Sequence, residues 1–375
     1  MHSIMSIEAH ASWDVIAEEW RGLEQMSNIS GYQTCKWITP WLRTVGAAHG
    51  LEPLLILARD RTGVPAALFA LTVNRKSAIH IASYAGGRDS NINMPLVRFD
   101  ISLDRSTVLS MLKEGARIGS VDAFSLLNQP MQWRGATHPL GQLPSQPSPS
   151  MLHGAGLPET GEEIVSTMSG DNKKRLRWRL RKLQDVGPVS FIQARTHNEI
   201  VAVMEAFRRQ KKVRIDAMGV SAGFDIDLVA AFMEEAALAP EAGMELYALK
   251  AGDRIVAMYG GVTHAGAFHA MVNSFDTDPE VSRTSPGELI TIRLMQSLSD
   301  QGFKDFDLGV GEAAYKDKWC DRHEPLIDSF IGITAKGKAY ALAKSAKQSL
   351  KRNIKQSPWL WPLAKKVRAR LRGEA

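Results

Sequence analysis

The residues best suited to chemistry fall in two runs of the C-terminal half. The first is AFHAMVN, residues 267–273. In a strand, Phe268, Ala270 and Val272 would face one way, and His269, Met271 and Asn273 the other. The second set mixes apolar with hydrogen-bonding groups, as a pocket wall does. Histidine as a residue type has a near-neutral reference pKa, so His269 could take a proton from an attacking amine. The same position equally suits a satisfied structural histidine. The second run is DFDLGVGEAAYKDKW, residues 305–319. Gly309 and Gly311 permit close backbone approach or a tight turn. Glu312 offers a second base, Tyr315 a phenol able to protonate a leaving thiolate, and Lys316 a cation for phosphate or carboxylate. Glu312, Tyr315 and Trp319 recur at near-helical spacing, so a lid helix with Tyr315 and Trp319 packed in its seam fits the pattern too.

Between these runs, the loop DPEVSRTSPG (278–287) leads into a helix expected over 288–301. A helix start offers unpaired N–H groups and partial positive charge, which suits phosphate. Arg283 adds a cation, and Ser285 and Gly287 flank Pro286. Ser-Pro-Gly is also an ordinary helix start, with Pro at the first helical position. Cys35 and Cys320 are too few for a disulfide scaffold and share no metal-ligand spacing with histidine, so no metal site is expected. Cys320 lacks the neighbouring base that a nucleophile needs.

The elements that must position these groups read as two α/β units. In the first half, PLLILARD (53–60) and VPAALFALT (64–72) form a hairpin pattern, 79–84 is a further strand, 106–117 a helix and 121–127 a strand. Helices are expected over 13–26 and 32–45. GGRDSNINMP (86–95) is a polar loop. Residues 137–163, rich in Pro, Ser and Gly, mark a loop or domain boundary. A basic helix follows, SGDNKKRLRWRLRKL (169–183), with seven Lys/Arg, a cap at Ser169 or Asp171, and Leu176, Leu180 and Leu183 on one face. It reads as a solvated charged face or a contact for a phosphorylated ligand or anionic lipid. The second half then runs strand 189–194, helices 198–211 and 224–237, strands 245–250, 254–262 and 267–273, helix 288–301 and strand 305–308. The order of elements echoes the first half; the residues do not.

The chain has 375 residues and a net charge of +6. That charge belongs to the tail: residues 335–375 are +11, and residues 1–334, with 34 basic and 39 acidic residues, are −5. Such a tail can approach anionic lipid or simply solvate a terminal helix; nucleic acid is not expected as a partner. SPWLWPL (357–363) places two Trp among basic segments, a composition that suits a membrane interface. No signal peptide and no transmembrane run is expected, which points to the cytoplasm, with the tail at the inner face of the cytoplasmic membrane.

The basic segment 173–183 and the ordered series YALKAGDRIVAMYGGV, AFHAMVNSFD, SPGELITIRLMQSLSDQG and DFDLGVGEAAYKDKW resemble the GCN5-related N-acetyltransferase (GNAT) superfamily. The resemblance is closer to its tandem-domain branch, named for cellulose-biosynthesis acetyltransferases and related to the FemAB peptidoglycan transferases. It is strong over 165–330 and weaker over 50–130. It implies two tandem acetyltransferase-like domains, 1–164 and 165–334, each a mixed, mostly antiparallel sheet flanked by helices, then a basic amphipathic tail, 335–375. It implies acyl transfer from acyl-CoA, a cosubstrate rather than a bound cofactor, to an amine by direct attack. His269, Glu312 and Tyr315 would be catalytic. Arg283, Ser285, Gly287 and Lys316 would hold the cosubstrate, and Asn273, Trp319, Arg88 and Asn91 the acceptor. SRTSPGE carries Gly287 alone where the superfamily's pyrophosphate loop has more glycine, and the coiled-coil arm of many FemAB transferases is absent. The resemblance favours an amino sugar of surface polysaccharide as acceptor. The tail suits instead a lipid amine such as a sphingoid long-chain base. A non-catalytic nucleotide-responsive or polysaccharide-assembly module is the remaining reading.

Overall fold

A computed structural model of the chain describes residues 4–217, 225–239, 241, 243–313, 316–357 and 359. Its contacts divide the described residues into two units, one drawn from 1–153, 310–314 and 323–368, the other from 154–309 and 315–322.

In the first unit the two alternating apolar runs form the expected hairpin, Leu51–Asp60 against Pro65–Asn74. Asp60 closes its turn: Oδ1 accepts from Thr62 N at 2.9 Å and Val64 N at 3.1 Å, and Oδ2 from Arg98 Nη2 at 2.7 Å. Ile4–His10 pairs along the outer side of Leu51–Asp60, and Ile81–Tyr84 along Pro65–Asn74, both antiparallel. Ile81–Tyr84 then runs parallel to Ala123–Pro130. Parallel neighbours need a crossover, and helix Arg105–Ile118 supplies it, capped by Asp104 on Thr107 N and burying Val108, Met111, Leu112 and Ala116. Gly115 permits the close approach, since a Cβ there would run into the Ile56 side chain.

The next strand of this sheet comes from far along the chain. Leu326–Gly332 pairs antiparallel with Ala123–Pro130, and helix Ala335–Gln356 packs on both. The sequence suggests one boundary at 164/165 and a separate tail. The contacts instead return 323–357 to the first unit, because strand Leu326–Gly332 finds its hydrogen-bond partners there.

The second unit is a meander, Val189–Ala194, Glu245–Ala251, Arg254–His264 and Ala267–Phe275, all antiparallel, followed by Asp305–Val310 parallel to Ala267–Phe275. Leu152–Gly156 and Arg322–Glu324 extend the same sheet, so the segment expected as a loop over 137–163 contains strand as well as turn. Helix Pro286–Asp300 covers one face, burying Leu289, Ile290, Leu294 and Leu298 over Tyr247, Tyr259, Phe268 and Phe306. Those rings form edge and stacked pairs 5.6–6.5 Å apart, geometry that aromatic quadrupoles favour. Helix His197–Ala217 packs on the sheet too and is bonded to two of its central strands. Gln210 donates to the Ile255 carbonyl at 2.8 Å and accepts from Ser274 Oγ at 2.7 Å. Each unit is thus a mixed, mostly antiparallel sheet flanked by helices. Among the described residues, no helix is long and apolar enough to cross a membrane.

Candidate active site of the second unit

The parallel pairing of Ala267–Phe275 with Asp305–Val310 lasts three rungs, Ala267 with Asp305, Phe268 with Phe306 and His269 with Asp307. Both strands then run on without pairing to each other. His269 and Asp307 therefore stand side by side where the strands part. His269 Nδ1 lies 3.0 Å from Asp307 Oδ2, and His269 is 1% exposed. Asp307 Oδ1 accepts from Gly309 N at 2.7 Å; Gly309 adopts φ 80°, a backbone setting that favours glycine. The Gly309 carbonyl in turn accepts from Lys316 Nζ at 2.9 Å, and Lys316 is only 5% exposed. A carboxylate on Nδ1 fixes the ring and makes Nε2 the basic nitrogen of the neutral imidazole. His269 is thus held as a proton acceptor would be. Lys316, expected as a ligand cation, is turned onto a backbone carbonyl.

Asn273 does not share His269's face. Gly260 pairs with Val272 and Gly261 with Ala270, so Met271 is an extra residue, a β-bulge. One inserted residue reverses the alternation beyond it. His269 pairs with Val262, whereas Asn273 pairs with Tyr259, on the face that carries the aromatic core.

Arg283 and Ser285 lie just before helix Pro286–Asp300, and Gly287 in its first turn. Ser285 takes a left-handed conformation (φ 53°, ψ 59°), costly for a non-glycine residue ahead of proline. Arg283 is exposed. A Cβ on Gly287 would press the Phe275 ring at 3.1 Å. The anion in this first turn is the chain's own: Glu288 accepts from Arg179 Nη1 of the basic helix at 2.5 Å and from Lys318 Nζ. Burial alone would raise the Glu288 carboxyl, but these two cations outweigh it and hold it below its usual range. The basic helix, Gly170–Gln184, is capped by Ser169 as expected.

Trp319, with Lys318 Nζ 4.8 Å from its ring centre, lines an open groove of about 630 Å³. Leu157, Ile164, Met168 and Asn172 form other parts of its wall. None of those four was singled out from the sequence. Burial pushes the neighbouring Cys320 thiol up to about 11, which leaves it protonated at neutral pH and unsuited to nucleophilic attack. Tyr315 lies outside the described residues.

The remaining expected residues group with the first unit. Glu312 is exposed and accepts from Lys355 Nζ at 3.0 Å; burial would raise its carboxyl, and that ammonium more than reverses the effect. Asn91 donates to Tyr32 Oη at 2.8 Å and accepts from Val310 N at 3.3 Å. Arg88 is exposed on the same loop. The loop is pinned from beneath: Trp41 Nε1 donates to Asp89 at 2.8 Å and Trp37 Nε1 to Ser90 at 3.2 Å. Asp307 was missed in the sequence. Its signal was the alternation of Asp305 and Asp307 with buried Phe306 and Leu308, which acquires meaning only once the strand is placed beside His269.

Residues 170–317 match the family described as Acetyltransferase (GNAT) domain. No curated protein matches the chain. Among solved structures, FemX is similar at 11% identity, covering 86% of this chain and 97% of that one, with a TM-score of 0.62. The C-terminal DUF2156 domain of an Agrobacterium fabrum protein described as a lysylphosphatidylglycerol synthetase is similar at 13% identity, with 89% and 95% covered and a TM-score of 0.51. L-PGS from Bacillus licheniformis is similar at 11% identity, with 87% and 96% covered and a TM-score of 0.50. Residues 170–317 thus match an acetyltransferase (GNAT) domain, and the whole chain shares the fold of FemX in a tandem, two-sheet architecture.

Proposed function

We propose that the chain is an N-acyltransferase of the cellulose-biosynthesis type that moves an acyl group from acyl-CoA to the amine of an amino sugar used in cell-surface or extracellular polysaccharide. The observation that carries the reading is the His269–Asp307 pair at the point where two parallel strands separate. The amine nitrogen attacks the thioester carbonyl carbon and passes a proton to His269 Nε2. Asp307 stabilises the imidazolium so formed. Backbone N–H groups along the parted strand edge steady the oxyanion. The carbon–sulfur bond then breaks and the thiolate leaves, taking a proton from Tyr315. Trp319 and the groove it lines receive the acceptor. Arg283, exposed just before helix Pro286–Asp300, is the cation that meets the cosubstrate's phosphates. No covalent enzyme intermediate is required.

A lipid amine such as a sphingoid long-chain base is the second acceptor class, favoured by the composition of SPWLWPL (357–363), two Trp among basic segments. The test is intact-mass analysis of products from a panel of acyl-CoA donors offered amino sugars and sphingoid bases. Acylated amino sugar with release of one free thiol per product is the expected result. Acylation of the long-chain base alone selects the second acceptor. A folded protein that acylates no amine from any donor overturns the transferase reading.

A further inference from the structure

Helix Ala335–Gln356 is amphipathic in the opposite sense to an ordinary surface helix, which buries its apolar stripe and shows its polar side to water. Its inward side is bonded through polar and small residues. Thr334 caps the first turn on Gly337 N, and Gly337 lies so near the sheet that a Cβ would meet the Asp122 carbonyl. Lys336 pairs with Asp122 at 2.9 Å. Ser345 and Ser349 donate to Gln146 Oε1 at 3.0 and 2.8 Å, and Gln348 Nε2 donates to Asp328 Oδ2 at 2.6 Å. Those bonds fix the rotation of the helix about its axis.

The side turned away carries Ala339, Leu342, Ala343, Ala346 and Leu350, all exposed and spaced as one helical stripe. Leu342 is 74% exposed and Leu350 61%; Trp359, shortly past the helix end, is 85% exposed. Lysines border the stripe, Lys338 on one flank and Lys347 and Lys351 on the other, each exposed. The helix holds seven Lys/Arg and no Asp or Glu.

We propose that this helix lies flat in the interface of an anionic lipid bilayer, its Leu/Ala stripe toward the acyl chains and its flanking lysines among the headgroups. Apolar stripes gain by leaving water, lysine stems reach outward to charged headgroups, and an anionic leaflet attracts a cation row. A second copy of the chain is a poorer occupant, because two such faces would oppose cation to cation with no carboxylate on either helix.

The test is co-sedimentation of the full chain with phosphatidylglycerol vesicles and with neutral phosphatidylcholine vesicles. It is run beside Leu342→Glu/Leu350→Glu and Lys338→Gln/Lys347→Gln variants whose unfolding midpoints match the parent. The parent should pellet with the anionic vesicles. Each variant should partition about tenfold less, the lysine variant with a shallower salt dependence than the parent. A parent that stays in the supernatant, or a leucine variant that pellets like the parent, overturns the proposal. So does concentration-dependent dimerisation of the parent without vesicles that the leucine variant abolishes, since the stripe would then be a contact between copies.

Discussion

The two units use one arrangement twice and fill its centre differently. Each runs hairpin, strand, crossover helix, strand, and in each the last strand lies parallel to the one before the helix. In the first unit that parallel contact is Ile81 with Ala123 and Ala82 with Phe124. Just beyond it, Tyr84 Oη donates to Gln129 Oε1 at 3.2 Å, Gln129 Nε2 donates to Ser329 Oγ at 3.0 Å, and strand Leu326–Gly332 lies against the far side. Neutral, buried groups bridge the junction. In the second unit the last parallel rung carries His269 and Asp307, where the last rung of the first carries Ala82 and Phe124. The fold alone therefore does not make a site; the side chains placed where the strands part do.

Three measurements can break or sharpen that contrast. The largest effect belongs to the second unit. His269→Gln should lower turnover by about 10²–10⁴, the range expected for losing a general base, while the unfolding midpoint stays near the parent's. Undiminished turnover would make the pair structural and erase the difference between the units. The next effect is a pH dependence of the first unit. His138 is buried and its Nδ1 accepts from Leu140 N at 3.2 Å. Burial drives its imidazole down from 6.5 to about 3. As pH falls below 6.5, the unfolded chain binds a proton there that the native chain refuses, so stability drops with falling pH until about 3. The slope is at most about 1.4 kcal/mol per pH unit. Denaturant titrations at pH 5 and 7 should show His138→Gln removing that part of the difference, and an unchanged difference would place His138 in water. The smallest effect is at the first unit's junction. Tyr84→Phe should cost about 1 kcal/mol of stability, the scale of one buried hydrogen bond, and leave turnover within about twofold. A turnover loss as deep as that of His269→Gln would mean that both junctions serve the reaction.

How much of this was legible in the sequence follows from the range of each interaction. The hairpin over 53–72 and the helix over 106–117 were readable because period-2 and period-3.6 patterns are local. The Met271 bulge was not. Nothing in AFHAMVN marks which residue will be left unpaired, and the expected grouping of His269 with Asn273 failed on it. Asp307 escaped because its partner lies 38 positions away. Only the parallel register joins them. The boundary at 164/165 followed from composition, whereas the observed division follows from the pairing of Leu326–Gly332 with Ala123–Pro130, which no local pattern encodes. The segment before Pro286 shows the converse. It reads as a ready anion site, yet Arg179 and Lys318, remote in sequence, bring their charge to Glu288 of the same turn.

The late strand Leu326–Gly332 has a consequence for synthesis. The ribosome releases the N-terminal half long before the strand that must lie beside Ala123–Pro130 exists, so that edge waits, unpaired, while the whole second unit is made. An exposed strand edge invites wrong partners. The second unit can therefore finish folding first, although it is translated later, and the N-terminal sheet is completed last, when the late strand reaches Ala123–Pro130. A chain stopped before residue 326 should aggregate through that open edge, and a peptide spanning the missing strand and helix, supplied in trans, should rescue its solubility.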